Sequence, residues 1–145
     1  MAGVIDTNIL LYGVNGQAEE HRAALAFLHR TAASGEPWFL TEGICYEFLR
    51  VATHPKVFPQ PLTYKEALRF LQPFWRSSSF EILVAGEDHW NLLQEITKET
   101  THPSGNLFFD IRTVTLMREH GIREIYTSDT DFLQFKGITV INPLR

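Results

Sequence analysis

Cysteine is almost missing from this chain. Cys45 stands alone, so no internal disulfide can form, and a reducing compartment, the cytoplasm, is the expected setting. No apolar run approaches the roughly 20 residues that a membrane-spanning helix needs. The opening Met1-Ala2-Gly3-Val4-Ile5-Asp6 has no basic start and no cleavage-site pattern, so it does not read as a secretory leader. Among the six histidines, and between them and Cys45, no pair has zinc-ligand spacing. There is no Gly-x-Ser-x-Gly elbow and no P-loop, which removes two common hydrolase designs. Internal repeats and low-complexity tracts are absent as well.

What is present reads as one globular domain spanning residues 1–145, with 44% apolar residues for a core and 21% charged residues. The net charge of −4 argues against a large nucleic-acid surface. The charges are segregated, however. From Arg50 to Arg76, five bases (Arg50, Lys56, Lys65, Arg69, Arg76) face Glu66 alone; from Glu81 to Glu99, five acids face Lys98 alone. Such a split suits a protein that holds a cation and grips phosphates, although two solvated helix faces give the same pattern.

Apolar strands alternate with helical patterns along the whole chain. Strands are expected at 3–6, 37–41, 80–84, 124–127 and 139–141. Helices are expected from Thr7-Asn8 (as a cap) through Tyr12, then at Glu19–Ala33, Glu42–Thr53, Thr63–Arg76, Glu87–Thr100 and Asn106–His120. Thr63 with Glu66 predicts a capping box, and Pro59-Gln60-Pro61 forces a loop before it. This order predicts an α/β fold with a mainly parallel five-stranded sheet, whose ligands bind beyond the carboxyl ends of the strands. Trp38, Phe39, Trp75 and Phe80 read as core or dimer contacts, and Cys45, with Leu49 and Ala52, as core.

Four acids stand out against this frame. Asp6 ends the first strand, and Asp129 follows the fourth. Glu47 falls inside the apolar stripe Ile44, Phe48, Val51, and Asp110 inside the stripe Leu107, Ile111, Val114. Acids on apolar stripes need compensation. Two carboxylates about 4 Å apart repel by about 4 kcal/mol at an effective dielectric near 20. Either some hold protons or a cation sits among them, and oxygen ligands alone select Mg²⁺ or Mn²⁺. The chemistry to expect is metal-assisted hydrolysis of a phosphodiester. Each acid also has an ordinary reading: Asp6 as a helix cap, Glu47 paired with Arg50, Asp110 paired with Arg118, Asp129 and Asp131 as turn residues.

These residues make the chain resemble the PIN-domain nucleases, and among them the VapC-type toxins of bacterial toxin–antitoxin pairs. Val4-Ile5-Asp6-Thr7-Asn8-Ile9-Leu10-Leu11-Tyr12 resembles the first family motif, and Glu47 within Tyr46–Pro55 its Glu. Gly105-Asn106-Leu107-Phe108-Phe109-Asp110 resembles the segment carrying the third acid, and Thr127-Ser128-Asp129-Thr130-Asp131-Phe132 the closing motif. The resemblance implies a PIN-like fold with helices on both sheet faces and a Mg²⁺ or Mn²⁺ site. It further implies endoribonuclease activity and a homodimer inhibited by a small antitoxin whose tail enters the site.

Residue patterns and resemblance together make Asp6 and Asp110 the direct metal contacts, with Glu47 and Asp129 completing the ring. Asp131 is a further candidate, its side-chain direction left open by the turn. Thr7, Ser128 and Asn8 are expected to orient ligands or water. Arg50, Lys56, Arg69 and Arg76 are the candidate RNA contacts. Phosphatases with an Asp at the same strand end require a second Asp two residues on, where this chain has Asn8. A housekeeping RNA-processing nuclease and an inactive PIN-fold binding module remain alternatives to a toxin.

Overall fold

Five short strands, β1 (Val4–Ile5), β2 (Trp38–Thr41), β3 (Phe80–Leu83), β4 (Glu124–Tyr126) and β5 (Thr139–Ile141), form one sheet in the order β3-β2-β1-β4-β5. Every neighbouring pair is parallel, so the expected mainly parallel sheet is wholly parallel in the computed structural model, which describes residues 2–145. Val4 and Ile5 are fully buried, as a central strand covered on both faces requires. The chain builds β2 and β3 on one side of β1, then returns to build β4 and β5 on the other. That reversal makes a switch point between the ends of β1 and β4, where open α/β sheets form ligand crevices.

Among the described residues, six helices surround the sheet: α1 (Thr7–Val14), α2 (His21–Ala33), α3 (Glu42–Ala52), α4 (Tyr64–Arg76), α5 (His89–Thr97) and α6 (Leu107–Glu119). The cap of α1 is Asp6, not Thr7-Asn8. Asp6 keeps extended backbone angles (φ −77°, ψ 160°) and its carboxylate accepts the Thr7 N–H. The capping box at Thr63 and Glu66 forms as its spacing predicts. Helix α5 is shorter than Glu87–Thr100. The Glu119 carboxylate takes the Gly86 N–H at 2.8 Å before it, and a turn from Thr100 N to the Thr97 carbonyl closes it.

A 3-10 segment, Thr130–Gln134, follows β4 and was not legible as an element in the sequence. It is pinned from below by Phe132, fully buried, and Phe135, nearly so. Arg118 on α6 holds the far end, donating to the Glu99 carboxylate and, at 2.6 Å, to the Lys136 carbonyl. Arg118 is therefore committed to Glu99 and is not the partner of Asp110. Elsewhere Trp38 packs edge-on against Tyr126 (centroids 4.9 Å apart) and Cys45 is buried, while Trp75 faces outward. Among the described residues, no helix is long and apolar enough to cross a membrane.

Phe132 ties the segment bearing Asp129 and Asp131 to the core, so truncating it tests the scaffold. Phe132→Ala should cost about 3–5 kcal/mol of unfolding free energy in a denaturant titration. A loss below about 1 kcal/mol would show that the segment is held by something else.

Candidate metal centre

Asp6 enters the site because β1 ends there and α1 begins. Both carboxylate oxygens are engaged: Oδ1 accepts the Thr7 N–H at 2.8 Å, and Oδ2 accepts the Thr127 hydroxyl at 2.8 Å and the Asn8 amide at 3.3 Å. Thr127, the residue after β4, is the hub of this network. Its hydroxyl donates to Asp6 and accepts from Asn8 Nδ2 at 2.9 Å and from the Asp129 N–H at 3.0 Å. Asn8 closes the loop by accepting the Ser128 N–H at 3.2 Å. The two strand ends are thus stitched together across the switch point. Thr7 and Ser128 act here through backbone N–H groups, and the hydroxyl in the network is Thr127's. The sequence signal for Thr127 was its place at a strand end, as the first residue of the closing motif.

The acids arrive from separate elements. Asp110 lies in the first turn of α6, and Glu47 lies in the middle of α3. Asp129 caps the 3-10 segment by accepting the Asp131 N–H at 2.9 Å. Asp110, Asp129 and Asp131 each offer a carboxylate oxygen within 4.8 Å of the others. This raises Asp131 from the turn residue it resembled in sequence to a member of the tightest acid trio. Asp6, Glu47 and Asp110 line one small pocket together. The ordinary reading of Asp6 as a helix cap holds as well; its carboxylate caps α1 and faces the site at once.

Crowding shows in the acidities. Burial pushes the Asp6 carboxyl from 3.8 to about 6, against the pull of the Thr127 and Thr7 hydrogen bonds, with Glu47 and Asp129 adding to the rise. Asp110 is driven from 3.8 to about 7, first by burial and then by the charges of Asp6, Asp129, Asp131 and Glu47. No Lys or Arg makes an ion pair with any of these acids among the described residues. A set of oxygen donors, without sulfur or imidazole, whose members repel one another fits a hard divalent cation of the Mg²⁺ or Mn²⁺ type.

Beside the acids runs a cleft of about 510 Å³ between α3, the end of β3, α5 and α6. Its lining includes Gly43, Tyr46, Glu47, Arg50, Trp90, Phe109 and Arg112, and Tyr46 and Trp90 are 66% and 70% exposed. Of the four cations expected to contact RNA, Arg50 lines this cleft. Arg69 lines a separate apolar hollow between α2 and α4, Lys56 sits in the loop after α3, and Arg76 ends α4. Arg112 was missed in the sequence, because two residues beyond Asp110 a helix turns away from the acid. The available signal was Gly43: a glycine near the start of a helix needs a packing reason.

The family model described as PIN domain matches residues 3–138. The chain belongs to the PIN-domain family. Among similar curated proteins, ribonuclease VapC48 of Mycobacterium tuberculosis is 27% identical, with 99% of this chain and 98% of that one aligned. Ribonuclease VapC24 of the same organism is 31% identical, with 97% and 95% aligned. The crystal structure of VapBC2 from Rickettsia felis, bound to a DNA fragment of its promoter, matches with a TM-score of 0.66 at 16% identity over 98% of both chains. That of Mycobacterium tuberculosis VapC20, a sarcin–ricin-loop-cleaving toxin, matches at 0.65 and 15% identity, covering 90% of this chain and 92% of that one. At such identities the structural likeness speaks to the PIN fold alone.

A carboxyl whose acidity is weakened by folding binds its proton more tightly in the folded state. Its stabilisation is complete below about pH 4 and is lost as pH rises through about 7. Without divalent cations, Asp110→Asn should therefore melt about 2–4 °C above wild type at pH 8, the equivalent of roughly 1 kcal/mol, and lose that advantage near pH 4. A variant less stable than wild type at pH 8 would mean that Asp110 is compensated within the fold.

Proposed function

We propose that this PIN-domain protein is a divalent-metal-dependent endoribonuclease and the toxin of a toxin–antitoxin pair. The observation that carries the reading is the gathering of Asp6, Glu47, Asp110, Asp129 and Asp131 at the switch point with no ion-paired base among them. The names of its relatives, ribonucleases over nearly the full length of the chain, support it. Asp110, Asp129 and Asp131, with Asp6, are the residues that would hold Mg²⁺ or Mn²⁺. When bound, such a cation supplies Lewis-acid polarisation of a phosphodiester and a more acidic water.

The chain's own residues have distinct parts in this proposal. Asp6 is fixed in place by three hydrogen bonds, so its free lone pairs point one way. Thr127 and Asn8 set that direction and carry no charge into the crowd. Glu47, on the opposite helix, faces the same pocket and orients a water or receives its proton. Arg50, at the edge of the cleft, meets the RNA backbone first, and Lys56, Arg69 and Arg76 act as outlying cations. The apolar rim of Tyr46, Val84 and Trp90 is the chemistry that a small protein antitoxin covers. A homodimer working in the cytoplasm completes the proposal.

Purified protein should cleave RNA with Mg²⁺ or Mn²⁺ and not in EDTA. Asp110→Asn should abolish cleavage, and Thr127→Val, which removes only the orienting hydroxyl, should lower it about 10–100-fold. Wild-type cleavage by a folded Asp110→Asn variant would overturn the reading. Expression should arrest growth unless the partner is supplied, whereas harmless expression of active enzyme would favour an RNA-processing role.

A further inference from the structure

One cation beside the acids has no ion-pair partner among the described residues. Arg112 on α6 lines both the acid pocket and the neighbouring cleft, at their junction with Gly43, Glu47 and Phe109. Among the described residues its Nε, which is buried, has no hydrogen-bond partner, and its guanidinium forms no ion pair. Arg118, one helical turn and a half further on, shows what a structural arginine does in this fold: it is spent on Glu99 and the Lys136 carbonyl. Arg112 is instead seated and left uncommitted.

The seat is built. A Cβ placed on Gly43 would lie 1.8 Å from Arg112 Nη2 and 2.3 Å from Cζ, so only a hydrogen fits beneath the guanidinium. The Phe109 ring lies 5.6 Å from Cζ and presents its face to the charge. A fixed, planar cation with free donors, at the mouth of a pocket that repels anions, is the arrangement that bidentate phosphate recognition needs.

We propose that Arg112 binds a non-bridging phosphate oxygen of the RNA strand and docks the backbone against the acids, with Gly43 as the cradle for its guanidinium. This rests on the ribonuclease reading above. Arg112 compensates for the pocket's repulsion of phosphate at a point that the acids themselves do not occupy. Gly43 serves the same end by leaving α3 bare there.

The test is binding of a fluorescent single-stranded oligoribonucleotide to the full chain in EDTA, measured over a series of KCl concentrations. Arg112→Met should weaken binding about 5- to 20-fold and reduce the salt slope by about 0.7, the loss of one phosphate contact on a single strand. Arg112→Lys should keep the slope and lose part of the affinity, because a point charge replaces the fork. Gly43→Ala, which suits a helix but displaces the guanidinium, should also weaken binding with no change in net charge. Mn²⁺ affinity by calorimetry should stay within about twofold of wild type in all three, since none is proposed as a metal ligand. Unchanged RNA affinity and slope in a folded Arg112→Met variant would overturn the proposal. So would a parallel loss of Mn²⁺ affinity, which would make Arg112 a support for the acids. In either case a wild type that still cleaves RNA leaves the ribonuclease reading standing; a wild type that cleaves none removes it.

Discussion

Carboxylates gathered within a few ångströms repel, and the rest of this structure is arranged around containing that repulsion. No ion pair from the chain relieves it: the two ion pairs among the described residues, His89–Glu119 and Arg118–Glu99, leave all five site acids out. The effect is visible in Asp6 and Asp110, whose carboxyls titrate near 6 and 7 where an ordinary Asp titrates below 4. Protons or a cation relieve such crowding, and a set of oxygen donors alone suits a hard divalent cation.

The scaffold meets this demand with neutral groups. Thr127 and Asn8 hold the ends of β1 and β4 together by hydroxyl and amide hydrogen bonds, which orient Asp6 and Asp129 without adding charge. Phe132 anchors the 3-10 segment below, and the Arg118 clasp fixes its exit. The acid trio is therefore presented from a rigid segment on one side and the first turn of α6 on the other. Positive charge stands beside the acids without an ion pair to them, on Arg112 at the junction of pocket and cleft and on Arg50 in the cleft, where it is available to an anion.

Much of this was legible in the sequence. The strand–helix alternation gave the parallel sheet, and the stripes Ile44-Phe48 and Ile111-Val114 pointed to Glu47 and Asp110 as acids in apolar company. Periodicity could do this in α3, which buries Ile44 and Phe48 and exposes Tyr46 and Arg50, and in the first turns of α6, before the helix is buried on all sides from Thr113 to Met117. It failed where three-dimensional reach decides. Asp131 depends on the direction of a side chain in a short 3-10 segment. Arg112 depends on a long side chain crossing to a glycine on another helix. The basic run from Arg50 to Arg76 is distributed over α3, the loop after it and α4, so that of the four expected RNA contacts Arg50 lines the cleft and Arg69 a different hollow. The PIN-like motifs marked the acids in order and spacing, yet said nothing of Thr127 as the hub between them.

The central claim is that the acids are held ready for a divalent cation, and calorimetric titration of Mn²⁺ into the metal-free protein tests it most directly. Run near pH 6.5 in buffers of different ionisation enthalpy, the titration also counts protons. With Asp6 and Asp110 near 6 and 7, binding should release on the order of one proton per cation, and the release should fall towards zero at pH 8.5. Saturable binding with that proton count supports a charge-crowded metal site. No binding, or binding that releases no proton near pH 6.5, would contradict it.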